Sequence, residues 1–138
     1  GGVTVFDDFG HNPDKISATL DALHAFPGRL LLFFQPHGYG PLRQMGEALA
    51  DAFRVKMRPE DRLAVCDPVY FGGTVDRSIG ADSLVGMIGD RALHIPARDD
   101  VGHWLVSEAL DGDRIVIMGA RDDTLSAFAR SIVERLPG

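Results

Sequence analysis

The stretch RLLLFFQ, Arg29 to Gln35, constrains the fold of this 138-residue chain more than any other. Five apolar residues in succession leave no polar face, so a strand built from them cannot lie with one side in water. Such a run belongs at the buried centre of a parallel sheet covered by helices on both sides.

The rest of the chain supplies the partners. Val3 to Phe6 reads as a first strand, Leu63 to Cys66 as a third, Ala92 to Ile95 as a fourth and Arg114 to Met118 as a fifth. Helical spacing of apolar residues follows each. After the first come Ile16, Leu20, Leu23 and Phe26, with Asn12 placed to cap and Pro13 in the first turn. A second helix is expected over about residues 41–57, with Leu42, Met45, Leu49 and Phe53 on one face. Leu84, Val85 and Ile88 mark a short third helix. Asp99 or Asp100 is expected to cap a fourth that buries Val101, Trp104 and Leu105. Asp122 or Asp123 is expected to cap the last, which buries Leu125, Phe128, Ala129, Ile132 and Leu136. Strands alternating with helices predict an α/β fold: a doubly wound, mostly parallel, Rossmann-like sheet of five or six strands with helices on both faces. Residues 1–138 read as one domain, and a strand so close to the first residue is expected of a piece cut from a longer protein.

Right-handed crossovers put every strand-to-helix loop on one edge of such a sheet, and ligands bind outside the carboxyl ends of the strands. Two clusters fall there. DDFGHNP places Asp7, Asp8, His11 and Asn12 within six positions. An aspartate at a strand end can accept the hydroxyls of a ribose, and a histidine beside a helix N-terminus can donate to a phosphate. The same residues also suit an Asx-type turn in which Asp7 and Asn12 cap backbone groups. FQPHGYG presents His37 and Tyr39 at the end of the central strand. Asp67 reads as a turn acid, His94 and His24 as structural or surface histidines, and Cys66 as a buried thiol.

Other patterns narrow the function. A formal charge of −6, with only two lysines and twelve scattered arginines, disfavours nucleic acid. The apolar runs are too short to cross a bilayer. A lone cysteine and the lack of a charged, then apolar, then cleavable leader in these residues make a reducing cytoplasm the expected compartment. Neither G-x-x-x-x-G-K-[ST] nor G-x-G-x-x-G occurs, and no residues have zinc spacing, so the chain suits finishing a nucleotide site rather than building one.

VFDDFGHNPDKISATLDAL followed by RLLLFFQPHGY resembles the start of the C-terminal domain of the Mur ligases, the ATP-dependent amide-bond-forming enzymes of bacterial cell-wall synthesis. The likeness is strongest to members that add L-alanine to UDP-N-acetylmuramate, with D-D-Y-[GA]-H-H-P and F-Q-P-H-R-Y. Folylpolyglutamate synthetase has a shorter D-G-A-H-N-P. The resemblance implies a three-domain parent in which this domain closes over ATP. It implies Asp8 as the ribose-binding acid, with His11 and Asn12 near the phosphates. His37, Tyr39 and Arg43 are then the candidates to meet an amino acid or peptide. The implied reaction forms an acyl phosphate on a UDP-sugar or other carboxylate, which an amine attacks. Mg2+ and the P-loop lysine are implied to belong to the central domain, leaving this domain inactive alone.

Two departures stand out. Gly38 and Pro41 occupy positions where the alanine-adding enzymes carry arginines for the amino acid's carboxylate, and Arg43 is the nearest substitute. Arg121, in MGARDD, stands where those enzymes have a glycine. Two other readings therefore stay open. One is a ligase relative that has lost catalysis and binds as a regulatory module. The other is a receiver-like phosphoacceptor in which Asp7, Asp8 and Asp67 share magnesium.

Overall fold

The structure is a computed structural model that describes residues 2–8, 12–36, 39–67, 80–119 and 123–136; the side chains of residues 39–43 and 123 are outside that description. The strands are β1 (Thr4–Asp8), β2 (Leu30–Gln35), β3 (Arg62–Val65), β4 (Ala92–His94) and β5 (Arg114–Gly119). All five are parallel, in the order β1-β5-β2-β3-β4. The helices are α1 (Pro13–His24), α2 (Tyr39–Lys56), α3 (Ala81–Ile88), α4 (Arg98–Glu108) and α5 (Asp123–Arg135).

The central strands explain the apolar run. Every residue of β2 and β5 is buried. Leu30, Leu32 and Phe34 pack with α1, α2 and α3, whereas Leu31 and Phe33 pack with α4 and α5. A strand's period of two thus splits one hydrophobic stretch between two cores. Phe34 meets Phe53 of α2 edge-on at 5.5 Å, and Phe33 meets Phe128 of α5 at 5.2 Å.

The winding follows from the strand order. Steps from β1 to β2, β3 and β4 run in one direction and carry their helices on one face. The return from β4 to β5 reverses direction and puts α4 and α5 on the other. The helix after β5 therefore leaves on the face opposite to those after its neighbours β1 and β2, which opens a crevice at the carboxyl ends of these strands.

The amino edge is closed by buried charge. The Asp61 carboxylate, fully enclosed, accepts from Leu30 N and Arg58 N at 2.9 Å each and from His24 Nε2 at 2.7 Å. Arg29 pairs with Asp113 at 2.6 Å, and these hydrogen bonds hold its guanidinium pKa above the ordinary value despite the opposing effect of burial. Arg114 donates to the carbonyls of Phe26 and Gly28 at 3.1 and 2.8 Å.

Several expected boundaries shift. β1 runs on through Asp7 and Asp8, which pair in register with Ile117 and Met118, so neither belongs to the turn. α2 begins two residues early, at Tyr39. α4 starts at Arg98 with Ala97 as its N-cap, which places Asp99 and Asp100 in the first turn, where their charge meets the helix dipole without capping. α1 stops at His24, so Phe26 falls beyond its apolar face and is 65% exposed. Asp122 lies outside the described residues.

Candidate functional site

The carboxyl edge collects the polar side chains that the two cores exclude. Asp8 ends β1, and its Oδ2 accepts from Thr19 Oγ1 of α1 at 3.0 Å. Asp7, one residue earlier, points to the opposite face, where Oδ2 accepts from Ser126 Oγ of α5 at 2.7 Å. Adjacent carboxylates on a strand cannot share one side of the sheet. Asn12 caps α1: its Oδ1 accepts from Lys15 N at 2.9 Å, and Pro13 follows in the first turn. Asp8 and Asn12 thus flank residues 9–11, as the sequence expects. His11 and His37 lie outside the described residues. Tyr39 and Arg43 are placed on α2, Tyr39 as its first residue, with their side chains undescribed.

A second set of contacts surrounds the end of β2. Gln35 is buried, and its Oε1 accepts from Arg98 of α4 at 3.0 Å. The other arm of the same guanidinium donates to Thr124 Oγ1 of α5 at 2.9 Å, and its carbon lies 5.5 Å from the centre of the Phe128 ring. One side chain therefore joins the ends of β2, α4 and α5. Gly119 makes their close approach possible, since a Cβ there would sit 2.8 Å from the Gln35 carbonyl oxygen. Arg98 has no motif around it, and only the fold reveals its place. Asp8 pairs with Met118 and Gln35 with Gly119. With β5 alone between them, the two motif-bearing strand ends lie about 10 Å apart.

Cys66 is buried with Sγ 3.9 Å from Gln35 Oε1. Burial pushes its thiol pKa up to about 12, against the lowering influence of Arg98. A thiol so strongly protonated is a core group, not a nucleophile. Asp67 and His94 form a separate pair at the ends of β3 and β4, with His94 Nε2 donating to Oδ1 at 2.6 Å.

The geometry removes the shared-magnesium reading. β5 and β2 stand between β1 and β3, which puts about 14 Å of sheet between the aspartates of β1 and Asp67. Asp7 and Asp8 face apart, and no group of three or more His, Cys, Asp or Glu among the described residues is gathered for a metal. The described side chains thus do not form a magnesium site. An open groove of about 330 Å³ runs between β1 and α5, lined by Val5, Asp7, Ser126, Ala129, Arg130 and Val133, on the face away from Asp8's partner Thr19. No helix among the described residues is long and apolar enough to cross a membrane.

Comparison with known proteins bears on the same features. The family model for the Mur ligase, glutamate ligase domain, matches residues 1–121. UDP-N-acetylmuramate–L-alanine ligase of Cereibacter sphaeroides (strain ATCC 17029 / ATH 2.4.9) is 35% identical over the whole chain, which spans 29% of that protein's length. A solved domain assigned to a UDP-N-acetylmuramate:L-alanyl-gamma-D-glutamyl-meso-diaminopimelate ligase of Haemophilus ducreyi 35000HP superposes with a TM-score of 0.72. It is 22% identical, with 99% of this chain and 93% of that one covered. The MurF ligase of Thermotoga maritima in complex with ADP gives a TM-score of 0.61 at 15% identity, covering 97% of this chain and 30% of that one.

Proposed function

This chain belongs to the Mur ligase glutamate ligase domain family, and from that premise we propose that it completes the ATP site of a ligase joining an amine to a carboxylate. Asp8 takes the ribose hydroxyls, and His11 and Asn12 stand near the phosphates. His37, Tyr39 and Arg43, on the loop and helix after β2, meet the amino acid or peptide. The carboxylate substrate, a UDP-sugar in this reading, and Mg2+ are held chiefly by N-terminal and central domains of the same protein. ATP supplies the phosphoryl group that activates the carboxylate. The protein works in the cytoplasm, where ATP and its substrates are found.

The observation that carries this reading is Asp8 itself. An ionisable carboxylate ends β1, four residues before the Asn12 cap of α1, at a crevice where the winding changes face. The ADP complex of the MurF ligase, which shares this fold, supports it. A carboxylate offers two acceptor oxygens to vicinal hydroxyls, while the helix N-terminus favours negative charge next to it.

The test is made in the full-length protein carrying this chain. Asp8→Asn keeps the shape but loses charge-assisted bonds, and should lower kcat/KM for ATP by about ten- to a hundredfold. His11→Ala should depress kcat more than ATP binding, if its contact strengthens as phosphate charge develops. Both variants should melt within a few degrees of wild type. Wild-type kinetics in both, with modestly lowered melting temperatures, would reduce DDFGHNP to a capped turn. The 138-residue chain alone should not hydrolyse ATP.

A further inference from the structure

The Asp8 carboxylate is reached from α1. Asp8 is the last residue of β1 and pairs with Met118 of β5, the one sheet neighbour of β1 among the described residues. The 3.0 Å hydrogen bond from Thr19 orients its Oδ2.

Thr19 is itself firmly placed. Ile16 and Leu20, on either side of it along α1, are fully buried in the core beneath that helix. The helix cannot turn Thr19 away from Asp8 without withdrawing both. A β-branched side chain on a helix has few χ1 choices. Its hydroxyl, which in a helix often bonds back to its own preceding turn, is directed to the strand instead. Asp7, by contrast, is tied to Ser126 on the other face.

We infer that Thr19 is a positioning residue for nucleotide recognition: its hydroxyl fixes the Asp8 carboxylate in the orientation that accepts the ribose hydroxyls. The inference rests on the reading of Asp8 given above and deepens it. A carboxylate ordered before binding loses less freedom when the nucleotide arrives. The benefit is also selective. A polar group built to meet a hydroxyl rejects an analogue lacking it, provided that the group is held in place. Thr19 therefore contributes to discrimination between ATP and 2′-deoxy-ATP, beyond any part in stability.

The experiment compares kcat/KM for ATP and 2′-deoxy-ATP in the full-length protein, for wild type, Thr19→Val, Thr19→Ser and Asp8→Asn, with melting temperatures alongside. Wild type should favour ATP by about tenfold or more, the scale of a charged hydrogen bond. Thr19→Val keeps the side chain's volume. It should raise the KM for ATP by about three- to tenfold with little change in kcat, and narrow the preference over 2′-deoxy-ATP by a similar factor. Thr19→Ser, which retains the hydroxyl, should restore the preference. Should Thr19→Val fold poorly, Thr19→Ala serves for the same ratio. If Asp8→Asn loses the preference while the Thr19 variants keep it, the role of Thr19 is overturned and that of Asp8 stands. If Asp8→Asn also keeps it, the ribose reading falls and this inference with it.

Discussion

Replacing Gly119 with alanine should damage the sheet at the point where the site is assembled. A Cβ built there would lie 2.8 Å from the Gln35 carbonyl oxygen, 3.2 Å from Gln35 Cβ and 3.3 Å from Leu125 Cδ1. The nearest of these is backbone of a central strand, so relief requires β2 and β5 to move apart at their carboxyl ends. Overpacking of this kind costs about 1–3 kcal/mol. The backbone adds to it, because φ of +157° is a conformation that L side chains rarely adopt, at about 1–3 kcal/mol. A total of about 2–6 kcal/mol is expected, or a fall of roughly 6–24 °C in melting temperature for a domain of this size. Gly89→Ala separates the two contributions, since φ there is +102° but nothing lies within 4 Å of the added carbon. It should lose only the backbone part, about 1–3 kcal/mol. Urea and thermal denaturation of the chain, followed by circular dichroism, measure both. Gly119→Ala melting within about 2 °C of wild type, or no lower than Gly89→Ala, would refute the close-approach argument.

Cys66 should resist iodoacetamide in the native chain at pH 8 and react fully in denaturant; rapid native labelling would contradict its burial. Its raised pKa also carries a sign: the folded state keeps the proton longer than the unfolded state, so this thiol's contribution to stability is intact below about pH 9 and declines as pH rises toward 12. Cys66→Ala should flatten that alkaline decline in urea titrations. Asp61→Asn places an amide N–H where a backbone N–H or His24 needs an acceptor, and should cost about 2–4 kcal/mol, read as a lower urea midpoint. Arg98→Met retains an apolar stem over Phe128 but loses the bonds to Gln35 and Thr124, and should cost about 1–3 kcal/mol by the same measurement.

The architecture was legible because its signal is hydrophobic and repeated. RLLLFFQ could only be a strand covered twice, and the fivefold alternation of strand and helix patterns then implied one loop-bearing edge. Strand order was not legible, since adjacency is a property of three-dimensional closure. It decides, however, that Asp67 is remote from Asp8. Asn12 was readable as a cap through its own short side chain and the proline after it. Asp99 and Asp100 misled because acids suit both a cap and a first turn, and only backbone angles distinguish the two. Thr19 and Arg98 escaped because neither carries a local chemical signature: each acts on a partner distant along the chain, Asp8 eleven residues away and Gln35 sixty-three. Lone hydroxyls and scattered arginines carry no local pattern by which such partners can be found.

The position of β5 bears on how the molecule comes into being. Thr4 pairs with Arg114, 110 positions later in the chain, and the same residue pairs with Leu30 on its other side. β1 of this sheet thus waits for β5, and contacts so distant in sequence form slowly because a long loop must close before they are rewarded. Until β5 slides between them, β1 has no sheet neighbour and Asp8 no fixed distance from Gln35. A nascent or truncated chain ending before Arg114 would hold β2, β3 and β4 together but leave its first strand as an unpaired, aggregation-prone segment. The spacing of the two motifs near the start of the chain is thus set by β5, a strand whose residues follow both of them by a long stretch of sequence.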